Sequence, residues 1–184
     1  MPTHLLNQYV KINNEAILIG DESMSKKETN KYEKFCKNNQ DLNFWGIELL
    51  RDNLLPDILN EDTHDILYWA GKNLAIKFPV SLDTISTFFK QSGFGNLELL
   101  KNSDQKMVWK LSGENVEKRI KLNQDADFML ETGFLAQTKQ QISGFSTEAE
   151  YHIKFKSTVE ITVISDTSKQ VQDPSECHPI KIKE

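Results

Sequence analysis

The sequence predicts an α+β domain: a twisted four-stranded antiparallel sheet backed by helices, in the order α-α-α-β-β-α-α-β-β. Three observations carry this. Apolar residues recur at helical spacing from Leu42 to Phe89. Two later stretches, 97–111 and 147–164, alternate apolar and polar residues about short turns, as hairpins do. A long helical pattern separates the hairpins, so the strands bury one face and helices cover it.

Residues 1–41 have weak periodicity and many Asn, Lys and Glu, and read as a loosely ordered extension. The domain proper is expected over 42–165. Ile47, Leu50, Leu54 and Ile58 share one face of the first helix. Pro56 bends or ends it, because proline lacks the amide donor and crowds the preceding turn. Asn60-Glu61-Asp62 is a turn, with Asp62 or Thr63 as the cap of a second helix. That helix reaches Phe78 with Ile66, Trp69, Ala70, Leu74 and Phe78 available for burial, and Pro79 stops it. Ser81 caps a third helix, whose apolar side is Leu82, Ile85, Phe88 and Phe89; Gly93 ends it.

The first hairpin pairs 97–101 with 106–111 and places Met107, Trp109 and Leu111 on one face. Residues 114–121 read as a short charged helix or turn. Asp127 caps a long helix ending at Ser143-Gly144, with Phe128, Leu135 and Ile142 on a shared face. The second hairpin turns Tyr151, Ile153, Phe155, Val159, Ile161 and Val163 toward the core. From 166 the chain is polar, holds two prolines and reads as a disordered tail.

The chain has 184 residues, enough for one domain with a full core. It carries 22 Lys and Arg against 27 Asp and Glu, a net charge of -5 with no basic block, which argues against nucleic-acid binding. Two cysteines, Cys36 and Cys177, make no disulfide framework. The longest apolar runs fall well short of the roughly 18 residues of a membrane span, and Ala16-Ile17-Leu18-Ile19 is too short for a signal-peptide core. The expected location is cytoplasmic.

Gly71 and Gly133 each sit inside a helical pattern, where glycine costs about 1 kcal/mol relative to alanine. Something passes close to the backbone at both: another helix or sheet in close packing, or a ligand in a narrow apolar channel. Trp45, Trp69 and Trp109, with Phe78, Phe88, Phe89, Phe128 and Phe134, could line such a pocket or fill a core. Glu131, two residues before Gly133, is the best single polar candidate: it could hold a ligand head group, bond a neighbouring backbone donor, or stabilise its own helix N-terminus. The sequence has no phosphate loop, nucleophile elbow or metal-ligand spacing. No catalytic residue, metal or cofactor is expected.

Leu54-Leu55-Pro56-Asp57-Ile58-Leu59, Leu67-Tyr68-Trp69-Ala70-Gly71-Lys72, Lys77-Phe78-Pro79, Gly93-Phe94-Gly95-Asn96-Leu97 and Phe128-Met129-Leu130-Glu131-Thr132-Gly133-Phe134-Leu135-Ala136 together resemble the YslB family of low-GC Gram-positive bacteria. The resemblance covers roughly residues 44–165. It implies a fold similar to 4-vinyl-reductase-like domains and small TRAPP subunits, relatives that in part hold an apolar small molecule and in part dimerise through helices. The expected function is a non-catalytic module that binds a small apolar ligand and forms a homodimer. The alternatives are a protein–protein adaptor with a filled core and an enzyme acting on a hydrophobic substrate.

Overall fold

Both hairpins form, and their inner strands pair with each other. In the computed structural model, which describes residues 42–182, β1 (Asn96–Asn102), β2 (Lys106–Ser112), β3 (Phe145–Lys154) and β4 (Thr158–Gln170) make one antiparallel sheet in the order β1-β2-β4-β3. Met107 lies opposite Val163, Trp109 opposite Ile161 and Leu111 opposite Val159. This register puts six apolar side chains on one face, and all six are buried. The expectation for residues 1–41 lies outside the described residues. The chain divides into two units, 1–45 and 46–184, and the second holds the whole sheet and core.

The helices are α1 (Leu42–Leu49), α2 (Leu55–Leu59), α3 (Thr63–Lys77), α4 (Ile85–Gln91), α5 (Glu114–Leu122) and α6 (Met129–Ser143). A π-helical turn, Leu50–Leu54, joins α1 to α2. Its cause is Pro56: the Leu55 amide donates to the Leu50 carbonyl, five residues back, and the wider turn makes room for the proline ring that follows. The helix is therefore re-registered rather than ended. The predicted third helix starts later than Ser81, because the amides of Thr84 and Ile85 both take the Ser81 carbonyl in a turn. Asp127 caps α6 as expected, with Oδ1 accepting from the Met129 amide at 2.7 Å, and Gly144 closes it at φ 78°. α6 lies against β3 and β4, α4 against β1, and α3 packs along α6.

Three expectations of burial are corrected. The predicted inner face of the first helix points outward: Leu50 is 60% and Ile58 62% exposed, and Ile47 and Leu54 are exposed too. Glu48 and Arg51, on the other side, are the buried ones. On α3 the buried residues are Leu67, Tyr68, Gly71, Lys72 and Ala75, while Ile66, Trp69 and Phe78 are exposed. The face is set by which side can approach α6 most closely, not by which side is most apolar. Phe155 is 94% exposed, since it occupies the hairpin turn at φ 53° rather than the strand.

The chain beyond 165, expected as a disordered tail, instead carries the end of β4. The amides of Val171 and Gln172 then donate to the Gly144 carbonyl at 2.9 and 3.2 Å, and the Ile180 amide to the Pro79 carbonyl at 2.8 Å. Ile182 packs against the core. Polar composition hid this because main-chain hydrogen bonds do most of the holding, and they do not depend on side-chain type. Ending the chain at 165 should lower the melting temperature by several degrees through loss of these bonds and the Ile182 contact; an unchanged melting curve at matched concentration would refute the attachment.

Candidate functional site

α3 and α6 touch main chain to main chain at their glycines. A Cβ on Gly71 would overlap the Leu130 carbonyl oxygen and stand 2.9 Å from Leu130 C and Phe134 N. A Cβ on Gly133 would overlap the Tyr68 carbonyl oxygen and stand 2.9 Å from Tyr68 C. Each glycine is thus the recess into which the other helix fits. The space beside the bare backbone is occupied by the opposite helix.

Glu131, in the first turn of α6, is fully buried and faces away from the glycine contact into a cluster of charge. It pairs with Arg51 of the π turn through Oε2, and its Oε1 lies 3.5 Å from Arg119 Nη1. Arg119, from α5, donates from Nε and Nη2 to the two oxygens of Asp52, each at 2.7 Å, and from Nη2 to the Asp127 carbonyl at 2.6 Å. Its guanidinium lies 4.4 Å from the centre of the Phe128 ring, and that of Arg51 5.7 Å from the Phe94 ring. Glu48 completes the cluster beside Asp52. Burial first, and the Asp52 charge second, push its carboxyl from 4.5 up to about 8. Burial alone would also raise Asp52, but the bidentate bond from Arg119 overrides it and holds that carboxyl below its usual range. Arg119 shows the converse: burial acts to lower it, and Asp52 with Glu131 raises it. With Glu48 protonated, two carboxylates meet two guanidiniums and the buried hub is neutral. Neutrality is what makes its burial tolerable.

A second polar group lies on the buried side of α3. Lys72 Nζ donates to Thr147 O at 3.2 Å and to both Glu148 oxygens at 3.0 Å, and it lies 5.2 Å from the centre of the exposed Trp69 ring. Tyr68 OH donates to Glu148 and accepts from the Ala149 amide. Burial and the bond to Glu148 raise the Tyr68 phenol. These contacts tie α3 to β3.

The residues singled out in the sequence therefore separate. Gly71 and Gly133 form the helix crossing. Phe134 belongs to an aromatic stack, with Phe88 4.9 Å away and Phe78 6.3 Å beyond Phe88. Phe128 and Glu131 line the charged hub, and Trp69 stands on the surface. Sequence reasoning missed Glu48, Arg51, Asp52 and Arg119. One signal was available: Arg51 and Arg119 are the only arginines in the chain, against 20 lysines. Arginine is the residue suited to buried, bidentate pairing. A cleft of about 310 Å³ opens beside the hub, lined by Arg51, Asp52, His64 and Asp127 among others. Among the described residues no group of three or more His, Cys, Asp or Glu side chains is placed to hold a metal, and no helix is long and apolar enough to cross a membrane.

Comparison with known proteins bears on the fold. A family described as "Protein of unknown function (DUF2507)" matches residues 44–164. The chain is 34% identical over 115 residues to Uncharacterized protein YslB of Bacillus subtilis (strain 168), spanning 62% of this chain and 78% of that one. Among solved structures it is similar to the phenol-responsive sensory domain of the transcription activator PoxR with phenol, at a TM-score of 0.51 and 8% identity, over 66% of this chain and 74% of that domain. It is also similar to a vinyl-4-reductase family protein from Methanocaldococcus jannaschii, at a TM-score of 0.49 and 18% identity, over 80% of this chain and 97% of that one.

Proposed function

This chain belongs to the DUF2507 family, and from that premise we propose that it is a non-catalytic cytoplasmic interaction module whose partner is a second copy of itself. One observation carries the proposal: the helix that opens the domain is turned so that its charged side is buried and its apolar side, Ile47, Leu50, Leu54 and Ile58, is exposed. Such a face is what an interface supplies and an isolated monomer avoids. A second copy is favoured by spacing. The exposed residues Ile66, Trp69, Asn73 and Ile76 of α3 follow the 3-4-3 repeat of a helical seam, with one asparagine of the kind that sets register when it meets its own copy. An enzyme reading has less support, because the perturbed carboxyls are committed to arginines and to each other.

Sedimentation of the full chain tests this. The parent is expected to be dimeric at micromolar concentration, and Trp69→Glu and the pair Leu50→Glu, Ile58→Glu should each weaken association at least about tenfold, the effect of losing roughly 1.4 kcal/mol. A parent that stays monomeric at all concentrations would remove the proposal.

A small apolar ligand is the second reading. It is favoured by the Phe78–Phe88–Phe134 stack, which runs from surface to core, and is compatible with the fold shared with a sensory domain that was solved with phenol. Native mass spectrometry of protein from its own host would show a retained ligand mass, lost in Phe88→Ala; the apoprotein mass alone would count against it.

A further inference from the structure

We propose that the buried hub is a proton-linked latch: a single proton held between Glu48 and Asp52 keeps the segment 48–59 seated on α5 and α6, and its loss loosens that segment. The proposal goes beyond the homotypic reading and does not depend on it.

Within one copy, Leu50, Leu54 and Ile58 of the segment face solvent, while Leu55 and Leu59 are half-buried. Its most deeply buried residues are the polar ones, Glu48 and Arg51, so much of its hold on the rest of the domain rests on them. Arg51 reaches Glu131 on α6, and Asp52 receives Arg119 from α5. These pairings use both guanidiniums. Glu48 is the third carboxyl, only 2% exposed, and its Oε2 makes no hydrogen bond. Ionised, it would stand as an unmatched charge beside the Asp52 carboxylate. Neutral, it can donate to Asp52, whose charge is already matched. Charge count and burial together call for one bound proton.

The charged and titratable groups around Glu48 come from every element of the hub. They are Arg51 and Asp52 from the π turn, Arg119 from α5, Glu131 from α6, Asp127 from the loop before it, His64 from α3, which meets Asp127 at 2.7 Å, and Tyr151 from β3, whose phenol is raised by burial and by Asp127. Burial and Asp52 hold the Glu48 acid near 8 when the segment is seated, against 4.5 in water. Between those values the seated form keeps a proton that the open form has lost, so opening releases one proton. The opening equilibrium rises about tenfold per pH unit until pH 8 and then levels, so seating is strongest in mild acid and lost with rising pH.

Hydrogen–deuterium exchange of the full chain from pH 6 to 9, corrected for intrinsic amide exchange, reads this directly. Amides of residues 48–59 should lose about 100-fold protection between pH 6 and 8 and then plateau. Glu48→Gln, which mimics the protonated acid, should abolish the slope. His64→Gln should keep it, which excludes the usual neutral-pH switch residue. A wild-type protection that is flat with pH, a Glu48→Gln variant with the wild-type slope, or a slope that disappears with His64 would each overturn the latch. Should Glu48→Gln not fold, denaturant midpoints of the wild type across the same range decide it: a fall to a plateau near pH 8 supports the latch, and a constant midpoint overturns it.

Discussion

Gly133→Ala should destabilise the domain, although alanine is the better helix former by about 1 kcal/mol. The added methyl would overlap the Tyr68 carbonyl oxygen. That oxygen is main chain within α3 and cannot rotate aside as a flexible side chain would. The two helices must separate, and the displacement reaches the Phe88–Phe134 stack on one side of the contact and Glu131 on the other. Overpacking of a closed interface costs about 1–3 kcal/mol, and Gly133→Val or Gly71→Leu should exceed Gly133→Ala. Urea denaturation of the parent and the alanine variant is the measurement. A Gly133→Ala protein as stable as the parent, or more so, would mean that the crossing is looser than its geometry indicates.

Arg119→Ala has the larger expected effect. It strips Asp52 of a bidentate partner, Glu131 of its second cation and the Asp127 carbonyl of its donor, all in a buried site. Removing one member of a buried ionic network costs about 3–5 kcal/mol, because the remaining charges stay buried without compensation. Arg119→Lys should recover little, since an ammonium cannot hold both Asp52 oxygens and the Asp127 carbonyl in one plane. If the lysine variant matches the parent in denaturant midpoint at neutral pH, the planar fork is not what matters. Both experiments strike residues that converge on one short piece of α6, Leu130 to Phe134, which carries the helix crossing and the hub together.

Much of the fold was legible in the chain. Alternation at Met107, Trp109, Leu111 and at Val159, Ile161, Val163 identified the strands and their inner face, since a strand's side chains alternate whatever it packs on. Asp127 and Gly144 marked the two ends of α6, because capping is a local matter of unpaired main-chain groups and left-handed backbone. Gly71 and Gly133 announced a close approach. Helix orientation was not legible. Periodicity assigns an apolar face to α1 and α3 and assumes that it turns inward; here Leu50, Ile58 and Trp69 turn outward.

Read alone, the chain gives the order of the helices and strands, which strand faces are apolar, and that two glycines must be approached closely, though not the late start of α4, the π turn or the length of β4. These follow from periods and caps that act within a few residues. What approaches those glycines, and which way the helices face, is set by long-range packing. Arg51 and Arg119 are separated by 68 positions and Glu131 lies on a third element; no local pattern links them. Their pairing is strong only where water is excluded, and that exclusion exists only once the π turn, α5 and α6 have come together.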